Sequence, residues 1–272
     1  MPPLTRVLVA TAVAVERDAV AAAFALPARE HAVPGASLSR VAVPADRSPA
    51  GDPAPAGSAL TAEPLTAEPL AGSAVFDLLA AGVGPAAAAA STAAALTAAA
   101  LAGEPYDLVV SAGIGGGFPP DAPVGSLVLA DEITVADLGA ETADGFVPVT
   151  ELGFGAVTHR PPESLVREVA AVTGARSGAV LTVNTVTGSA ERAAELRRRH
   201  PGALAEAMEG FGVAEAAAAH GVPVLEIRAV SNPVGPRDRT AWRIGEALAA
   251  LTGAFGKLPP VLESWNGHER TQ

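Results

Sequence analysis

The stretch MEGFGVAEAAAAHGVPVLEIRAVSN, residues 208–232, decides the fold class of this chain. It predicts a helix from about Ala207 to His220 that ends at Gly221, because glycine favours the end of a helix. The apolar run from Val222 to Val230 follows at once and predicts a buried strand. A helix that leads directly into a buried strand is typical of α/β folds.

The same alternation of strands and helices extends through the rest of the chain. Further strands are predicted at Arg6 to Val13, Ala74 to Ala81, Tyr106 to Ala112, Val124 to Val135 and Gly178 to Val183. Further helices are predicted at about Glu16 to Phe24, Pro85 to Leu101, Ala190 to His200 and Thr240 to Phe255. This order predicts an α/β protein, a three-layer αβα sandwich around a central mixed and twisted sheet.

One segment departs from this pattern. Residues from about 44 to 72 are mostly Ala, Pro, Gly and Ser, and Thr61 to Leu65 is repeated directly at Thr66 to Leu70. Such a composition buries too little apolar surface to offset its ordering entropy. We expect a mobile surface loop inserted in a single domain of residues 1–272, because candidate site residues lie on both sides of it.

The composition excludes several classes of function. A net charge of −11 argues against a nucleic-acid partner, and the absence of cysteine excludes thiolate sites and disulfides. The five histidines are scattered, so we expect no metal. No apolar run is long enough for a membrane helix and no cleaved signal is evident, so we expect a cytoplasmic protein without a membrane partner.

Polar residues follow several predicted strands, where α/β folds place their sites. Glu16 lies just past the first strand, Glu209 near a helix start, and Asn232 after the strand that ends at Val230. Each has an ordinary structural explanation when taken alone. The stretch Gly113 to Gly117 is expected as a ligand-approaching turn, and it lacks the G-x-G-x-x-G spacing of a nicotinamide site.

In combination and order, these elements resemble the nucleoside phosphorylase superfamily in its nucleosidase branch, and in detail its futalosine hydrolase group. The matching motifs are the strand-turn-Glu opening through Glu16, Ser111 to Gly116, Val124 to Glu132, Thr187 to Ser189, Ala207 to Gly210, and Arg228 to Asn232. Two stretches carry the resemblance to the futalosine hydrolase group, the opening Thr11 to Val13 that leads to Glu16 and the block from Ser231 to Arg239. The resemblance implies the nucleoside phosphorylase-like fold and a homo-oligomer, a dimer or larger.

The resemblance also implies a reaction, the hydrolysis of the bond between a purine base and ribose without a cofactor. Glu16 is then the base that activates water, Glu209 the carboxylate beside the ribose hydroxyls, and Asn232 the group that holds the purine. Substrate binding is expected from Ile114, Gly115, Gly116, Thr185, Val186, Met208, Phe211, Arg237 and Arg239.

Two departures from the adenine-cleaving relatives refine the expected substrate. Those relatives place a proton-donating aspartate where this chain has Asn232, and an amide suits a 6-oxopurine such as hypoxanthine. They also tend to place an aromatic residue at Thr185-Val186, and here Phe211 or Phe118 is expected to replace its stacking. Futalosine carries a benzoate, for which Arg237 or Arg239 is the expected cation.

Three alternatives remain open from the sequence. A phosphorylase of the same fold would need basic groups near the sugar, which the glycine-rich turns lack. A methylthioadenosine/adenosylhomocysteine nucleosidase would need a proton donor where Asn232 stands. A nucleoside-binding protein without catalysis would have no need of the water-activating Glu16.

Overall fold

The computed structural model of the chain describes residues 5–44 and 74–269. The insertion expected at about 44–72 falls outside the described residues except at its first position. Among the described residues, no helix is both long and apolar enough to cross a membrane.

Twelve strands and seven α-helices are present in the described part of the chain. The strands are β1 (Thr5–Thr11), β2 (Arg29–Val33), β3 (Ala36–Val43), β4 (Ala74–Ala80), β5 (Leu108–Gly117), β6 (Leu127–Val135), β7 (Gly139–Thr142), β8 (Gly145–Pro148), β9 (Thr158–His159), β10 (Arg176–Thr182), β11 (Ala203–Ala207) and β12 (Val224–Pro233). The helices are α1 (Ala14–Ala22), α2 (Pro85–Leu101), α3 (Glu163–Thr173), α4 (Ala190–Arg199), α5 (Gly210–Ala219), α6 (Ile244–Phe255) and α7 (Leu258–Glu269).

The main sheet is mixed, in the order β11-β10-β6-β12-β5-β1-β4-β3-β2. β1 and β12 flank β5 and run parallel to it, so the carboxyl ends of all three strands lie at one edge of the sheet. β11 pairs with β10 and also, antiparallel, with the end of β5. This second pairing closes one end of the sheet on itself and brings β11 to the carboxyl end of β5.

Helices cover both faces of the sheet, which gives the three layers that the sequence predicts. One core contains apolar side chains of α1, α3, α6 and α7, and the other contains those of α2 and α5. Both cores are built largely from Val, Leu, Ile and Ala. α2 and α5 pack closely, because a side chain at Gly212 would overlap the backbone of Pro85.

The glycine-rich stretch differs from its prediction. Gly113 to Gly117 is not a turn but the second half of strand β5. The absence of side chains is required there for packing: a Cβ at Gly113 would lie 2.7 Å from both a guanidinium nitrogen of Arg228 and a carboxylate oxygen of Glu16. The strand therefore continues to Gly117, and the side chains of Arg228 and Glu16 pack directly against its backbone at Gly113.

The helix predicted from Ala207 also begins later than expected. Ala203–Ala207 is strand β11, and helix α5 starts at Gly210 after Glu209. A short apolar strand joined to a helix cannot be separated from that helix by periodicity alone. The result matters because it places Glu209 at the junction between strand and helix.

A buried ion cluster fixes the opposite, amino-terminal end of the central strands. Asp77 of β4 is fully buried and accepts hydrogen bonds from Arg40 at 2.7 and 2.8 Å and from the Tyr106 hydroxyl at 2.7 Å. Arg6 lies 3.5 Å from the same carboxylate. Burial raises the pKa of Asp77, but its hydrogen bonds and the two arginine charges outweigh burial, so the pKa lies below its ordinary value.

Candidate active site

A cavity opens at the carboxyl ends of β1, β5 and β12, beside the end of β11. Glu16, Glu209 and Asn232 all line it. They lie far apart in the sequence, and each comes from the end of a different strand or from the start of the helix that follows it. The fold therefore brings the three expected catalytic side chains to one place.

The Glu16 carboxylate is fixed by backbone N–H groups. Ala12 donates to Oε2 at 3.0 Å and Val13 at 3.3 Å, while Ile114 of β5 donates to Oε1 at 2.9 Å. The side chain is buried, with 4% of the residue exposed. The chain turns directly from β1 into α1, so this acid is held rigidly against the glycine-rich strand.

The Glu209 carboxylate is held at the junction between β11 and α5. The backbone N–H of Gly84, in the turn before α2, donates to Oε1 at 3.2 Å, and that of Met208 donates to Oε2 at 3.3 Å. The acid thus ties the β4–α2 turn to β11. The residue still lines the cavity.

Arg228 of β12 lies beneath both acids and is almost completely buried. It donates to Glu226 at 2.8 Å and to the Ser111 hydroxyl at 2.9 Å, and its Nη1 lies 3.5 Å from Glu209. Burial opposes the charge of Arg228, but the surrounding glutamates, including Glu16, outweigh burial and raise its pKa. A permanent positive charge is therefore held under a site rich in carboxylates.

The amide of Asn232 has a fixed orientation. The Ser231 hydroxyl donates to its Oδ1 at 2.9 Å, and its Nδ2 donates to the carbonyl of Pro233 at 3.1 Å. An amide nitrogen carries two hydrogens, so one remains for a ligand. Asn232 thus presents a donor to the cavity.

The expected substrate-binding residues divide into two groups. The following six line the cavity: Ile114, Gly115, Gly116, Val186, Met208 and Arg237. Thr185, Phe211 and Arg239 are not among the described residues that line it. Phe211 is buried, and its ring packs 5.3 Å from that of His159, while Phe118 belongs to a separate core cluster.

Two lining residues with an acidic or aromatic side chain escaped the sequence analysis. Glu206 of β11 is buried and accepts hydrogen bonds from the backbone N–H and the hydroxyl of Thr187. Trp242 lines the cavity under the guanidinium of Arg237, whose central carbon lies 5.5 Å from the ring centroid. Glu206 was detectable as a lone acid within an apolar stretch, whereas nothing around Trp242 marks it.

This arrangement suits a small polar ligand with hydroxyl groups and an aromatic ring. Two fixed carboxylates accept hydrogen bonds or a proton, one amide donates, and glycine backbone lets a flat ring approach closely. Within residues 5–44 and 74–265, no group of three or more acidic or histidine side chains is positioned to hold a metal ion.

The fold and the site together define an α/β enzyme with an acidic small-molecule site at a sheet edge. Residues 70–258 match the model of the phosphorylase superfamily. The chain is 70% identical to the futalosine hydrolase of Streptomyces coelicolor, over 97% of this chain and 99% of that protein. The futalosine hydrolase of Acidothermus cellulolyticus is 49% identical over 68% of this chain and 76% of its own length.

A solved structure shows the same fold. The native structure of futalosine hydrolase from Helicobacter pylori superposes with a TM-score of 0.68 at 17% identity, and the match covers 96% of this chain and 98% of that one. The chain belongs to the phosphorylase superfamily and, within it, to the family of the futalosine hydrolases.

Proposed function

We propose that the chain hydrolyses the N-ribosidic bond of futalosine, which releases hypoxanthine and leaves dehypoxanthine futalosine, as a step of menaquinone biosynthesis. The observation that carries the proposal is the shared cavity of Glu16, Glu209 and Asn232. The 70% identity to a futalosine hydrolase supports the choice of substrate.

In the proposed reaction, water attacks C1′ of the ribose as the bond from C1′ to the purine nitrogen breaks. Glu16 takes a proton from the water, and positive charge builds on the sugar as the bond breaks. Glu209 binds the ribose hydroxyls and stabilises that charge. The purine leaves with the bonding electron pair and takes one proton from solvent, while Glu16 returns the proton of the water to solvent, so the products differ from the substrate by one water.

Asn232 favours hypoxanthine as the leaving group. Its Nδ2 is a donor with one hydrogen left for a ligand, because the Pro233 carbonyl accepts the other. Hypoxanthine offers the acceptors N7 and O6 on one edge, and both gain electron density as the base departs. Adenine instead presents an amino group where O6 would lie, and two donors would then face each other.

Arg237 is the proposed partner of the benzoate carboxylate. It is the one basic side chain among the described residues that line the cavity. Its guanidinium lies over the Trp242 ring, so the two side chains offer a cation and an aromatic face side by side. A benzoate presents the matching carboxylate and ring.

The test is incubation of the protein with futalosine, inosine and methylthioadenosine, each with and without phosphate, followed by chromatography of the free base. We expect hypoxanthine from futalosine without phosphate. Release that requires phosphate would replace the proposal with a phosphorylase, and adenine release would replace it with the adenine-cleaving nucleosidase.

The variant Glu16→Gln tests whether Glu16 is the base that activates water. It should bind hypoxanthine as the unchanged protein does and lose at least about 100-fold in kcat, because an amide cannot accept the proton of water. A variant that keeps full activity would remove Glu16 from the mechanism.

We also propose that the protein works in the cytoplasm as a homo-oligomer, on the strength of the family resemblance. Val83, which lines the cavity and is 58% exposed, is an apolar side chain that a neighbouring subunit would cover. Light scattering after gel filtration measures the oligomeric state, and a monomer at micromolar concentration would contradict this part of the proposal.

A further inference from the structure

Glu226 of β12 is an acid buried in the layer between the main sheet and helix α5. Side chains alternate along a strand, and the residues Val224 and Val230 on the same face of β12 belong to the apolar core that contains α5. Glu226 is completely buried, and it is not among the described residues that line the cavity. An apolar side chain would fit this layer, so an acid is unexpected at this position.

The Glu226 carboxylate makes two contacts that lead towards the cavity. Its Oε1 accepts a hydrogen bond from Nε of Arg228 at 2.8 Å. Its Oε2 lies against Gly210, where a Cβ would be only 2.2 Å away from that oxygen. Gly210 is the first residue of α5 and directly follows Glu209. Glu226 therefore contacts both the arginine behind the site and the backbone beside one of its acids.

The first of these contacts orients the guanidinium of Arg228. Glu226 accepts from Nε and the Ser111 hydroxyl accepts from Nη2 at 2.9 Å, so Nη1 is the nitrogen left for the site. This nitrogen lies 3.5 Å from Oε2 of Glu209. A guanidinium is planar, so two fixed nitrogens determine the position of the third.

The same nitrogen also faces Glu16. A Cβ at Gly113 would lie 2.7 Å from Nη1 of Arg228 and equally 2.7 Å from Oε1 of Glu16, so the two atoms approach one point over the strand. We propose that Glu226 is a positioning residue for the hydrolysis: it holds Arg228 so that Nη1 faces both acids of the cavity. The inference deepens the proposed function and rests on it.

The burial of this acid has a cost for the fold. Within residues 5–44 and 74–265, Oε2 of Glu226 has no hydrogen-bond partner. Burial raises the pKa of Glu226, the charge and hydrogen bond of Arg228 lower it, and the charge of Glu209 raises it again, so the pKa lies above its ordinary value. A buried polar atom without a partner destabilises a protein. Costs of this kind are typical of residues that support a functional site.

Three substitutions separate orientation of Arg228 from a role in stability alone. Glu226→Gln keeps a side-chain oxygen that can accept from Nε, whereas Glu226→Leu has a similar size and no acceptor. Glu246→Leu is the control, because Glu246 is an exposed acid of α6 with 71% of its side chain accessible. Urea unfolding gives the folded fraction of each variant, and steady-state kinetics on futalosine gives KM and the kcat of the folded enzyme.

We expect Glu226→Leu to lower kcat about 10- to 100-fold, the range for a hydrogen bond to a charged group. KM should change less than about threefold, because the backbone N–H groups of Gly84 and Met208 still hold Glu209. Glu226→Gln should keep kcat within about threefold of the unchanged chain, and Glu246→Leu should match it. A role in stability alone would lower the folded fraction and leave the kcat of the folded enzyme unchanged.

Arg228→Lys tests whether the effect passes through the guanidinium. Lysine keeps the charge but has neither Nε nor a planar fork to orient. In this background, Glu226→Leu should lower kcat by less than about a further threefold, because the two substitutions remove the same interaction. Losses that multiply would show that Glu226 acts by another route and would overturn the proposal.

Two further results would overturn it. One is full kcat in folded Glu226→Leu, and the other is a glutamine variant as impaired as the leucine variant. If Glu226→Leu does not fold, Glu226→Asp takes its place: its carboxylate is one methylene shorter, so kcat should fall, and full kcat would contradict the role. In all these cases the unchanged chain still hydrolyses futalosine. Failure of the unchanged chain to release hypoxanthine would instead overturn the proposed function and this inference with it.

Discussion

Nη1 of Arg228 lies 3.5 Å from Oε2 of Glu209, and both side chains are buried, Glu209 in the wall of the cavity and Arg228 behind it. Among the described residues this nitrogen has no hydrogen-bond partner, although the other guanidinium nitrogens are bonded to Glu226 and Ser111. Arg228 thus contributes to Glu209 through its charge, and the same charge offsets Glu226 and Glu16.

Arg228→Met should therefore destabilise the protein as well as the site. It leaves the buried Glu226 and Glu209 without their cation, and the loss of one partner of a buried pair costs about 3–5 kcal/mol. Urea unfolding measures the change. Arg228→Lys keeps the charge but not the planar fork, so its loss should be smaller. Equal stability of the Met variant and the unchanged chain would contradict this account of the ion cluster.

Asn232→Asp should move the base preference towards adenine. An aspartic acid can donate a proton to the purine, which an amide cannot do, and as an anion it repels O6 of hypoxanthine. We expect the rate of futalosine hydrolysis to fall about 10- to 100-fold, which is the value of one hydrogen bond to a charged group. The rate of adenine release from methylthioadenosine should rise. Chromatography of both reactions gives the ratio, and an unchanged ratio would refute the role of Asn232.

Arg237→Ala and Arg239→Ala form a matched pair, because the first residue lines the cavity and the second does not. Arg237→Ala should raise KM for futalosine about 10-fold or more, since a charged hydrogen bond to the benzoate is lost. It should leave inosine, which lacks the benzoate, unaffected. Steady-state kinetics on the two substrates measures this. If neither arginine changes KM for futalosine, the benzoate is bound elsewhere.

Asp77→Asn tests the ion cluster at the far end of the sheet. The pKa of Asp77 is lowered in the folded chain, so its stabilisation is fully present above the unfolded pKa near 3.9 and is lost as the pH falls through the folded value. The variant should be less stable by about 3 kcal/mol at pH 7, and the deficit should shrink below about pH 4. Unfolding curves across this range, with Asp18→Asn as the exposed control, measure the effect; a deficit independent of pH would contradict it.

The central strands and most of the helices were predictable because they are long and strongly patterned. β1 carries the apolar run Val7 to Ala10 and β4 is apolar except for Asp77, and Pro85 and Gly103 bracket helix α2. Strand β2 was not predictable, because it lies at the edge of the sheet and four of its five residues are exposed, so no alternation marks it. Helices α3 and α7 were also not predicted.

The site was predictable only in part, for a related reason. Glu16 and Asn232 follow predicted strands and Glu209 lies near a predicted helix start, and element ends of this kind are visible in a sequence. Glu206 lies inside a short strand, and only the unexpected pairing of β11 with β5 brings it to the cavity. Trp242 arrives through the loop after β12, and no periodic pattern predicts the path of such a loop.

The glycine-rich half of β5, Gly113 to Gly117, contacts three of the polar groups of the site. The backbone N–H of Ile114 in this half donates to Glu16. Gly116 pairs with Asn232 of β12 on one side and with Glu206 of β11 on the other. A slip of this strand by a single position would misplace all three groups together. A substitution around this segment therefore disturbs one of the three groups, whereas an insertion or deletion within it would disturb all of them at once.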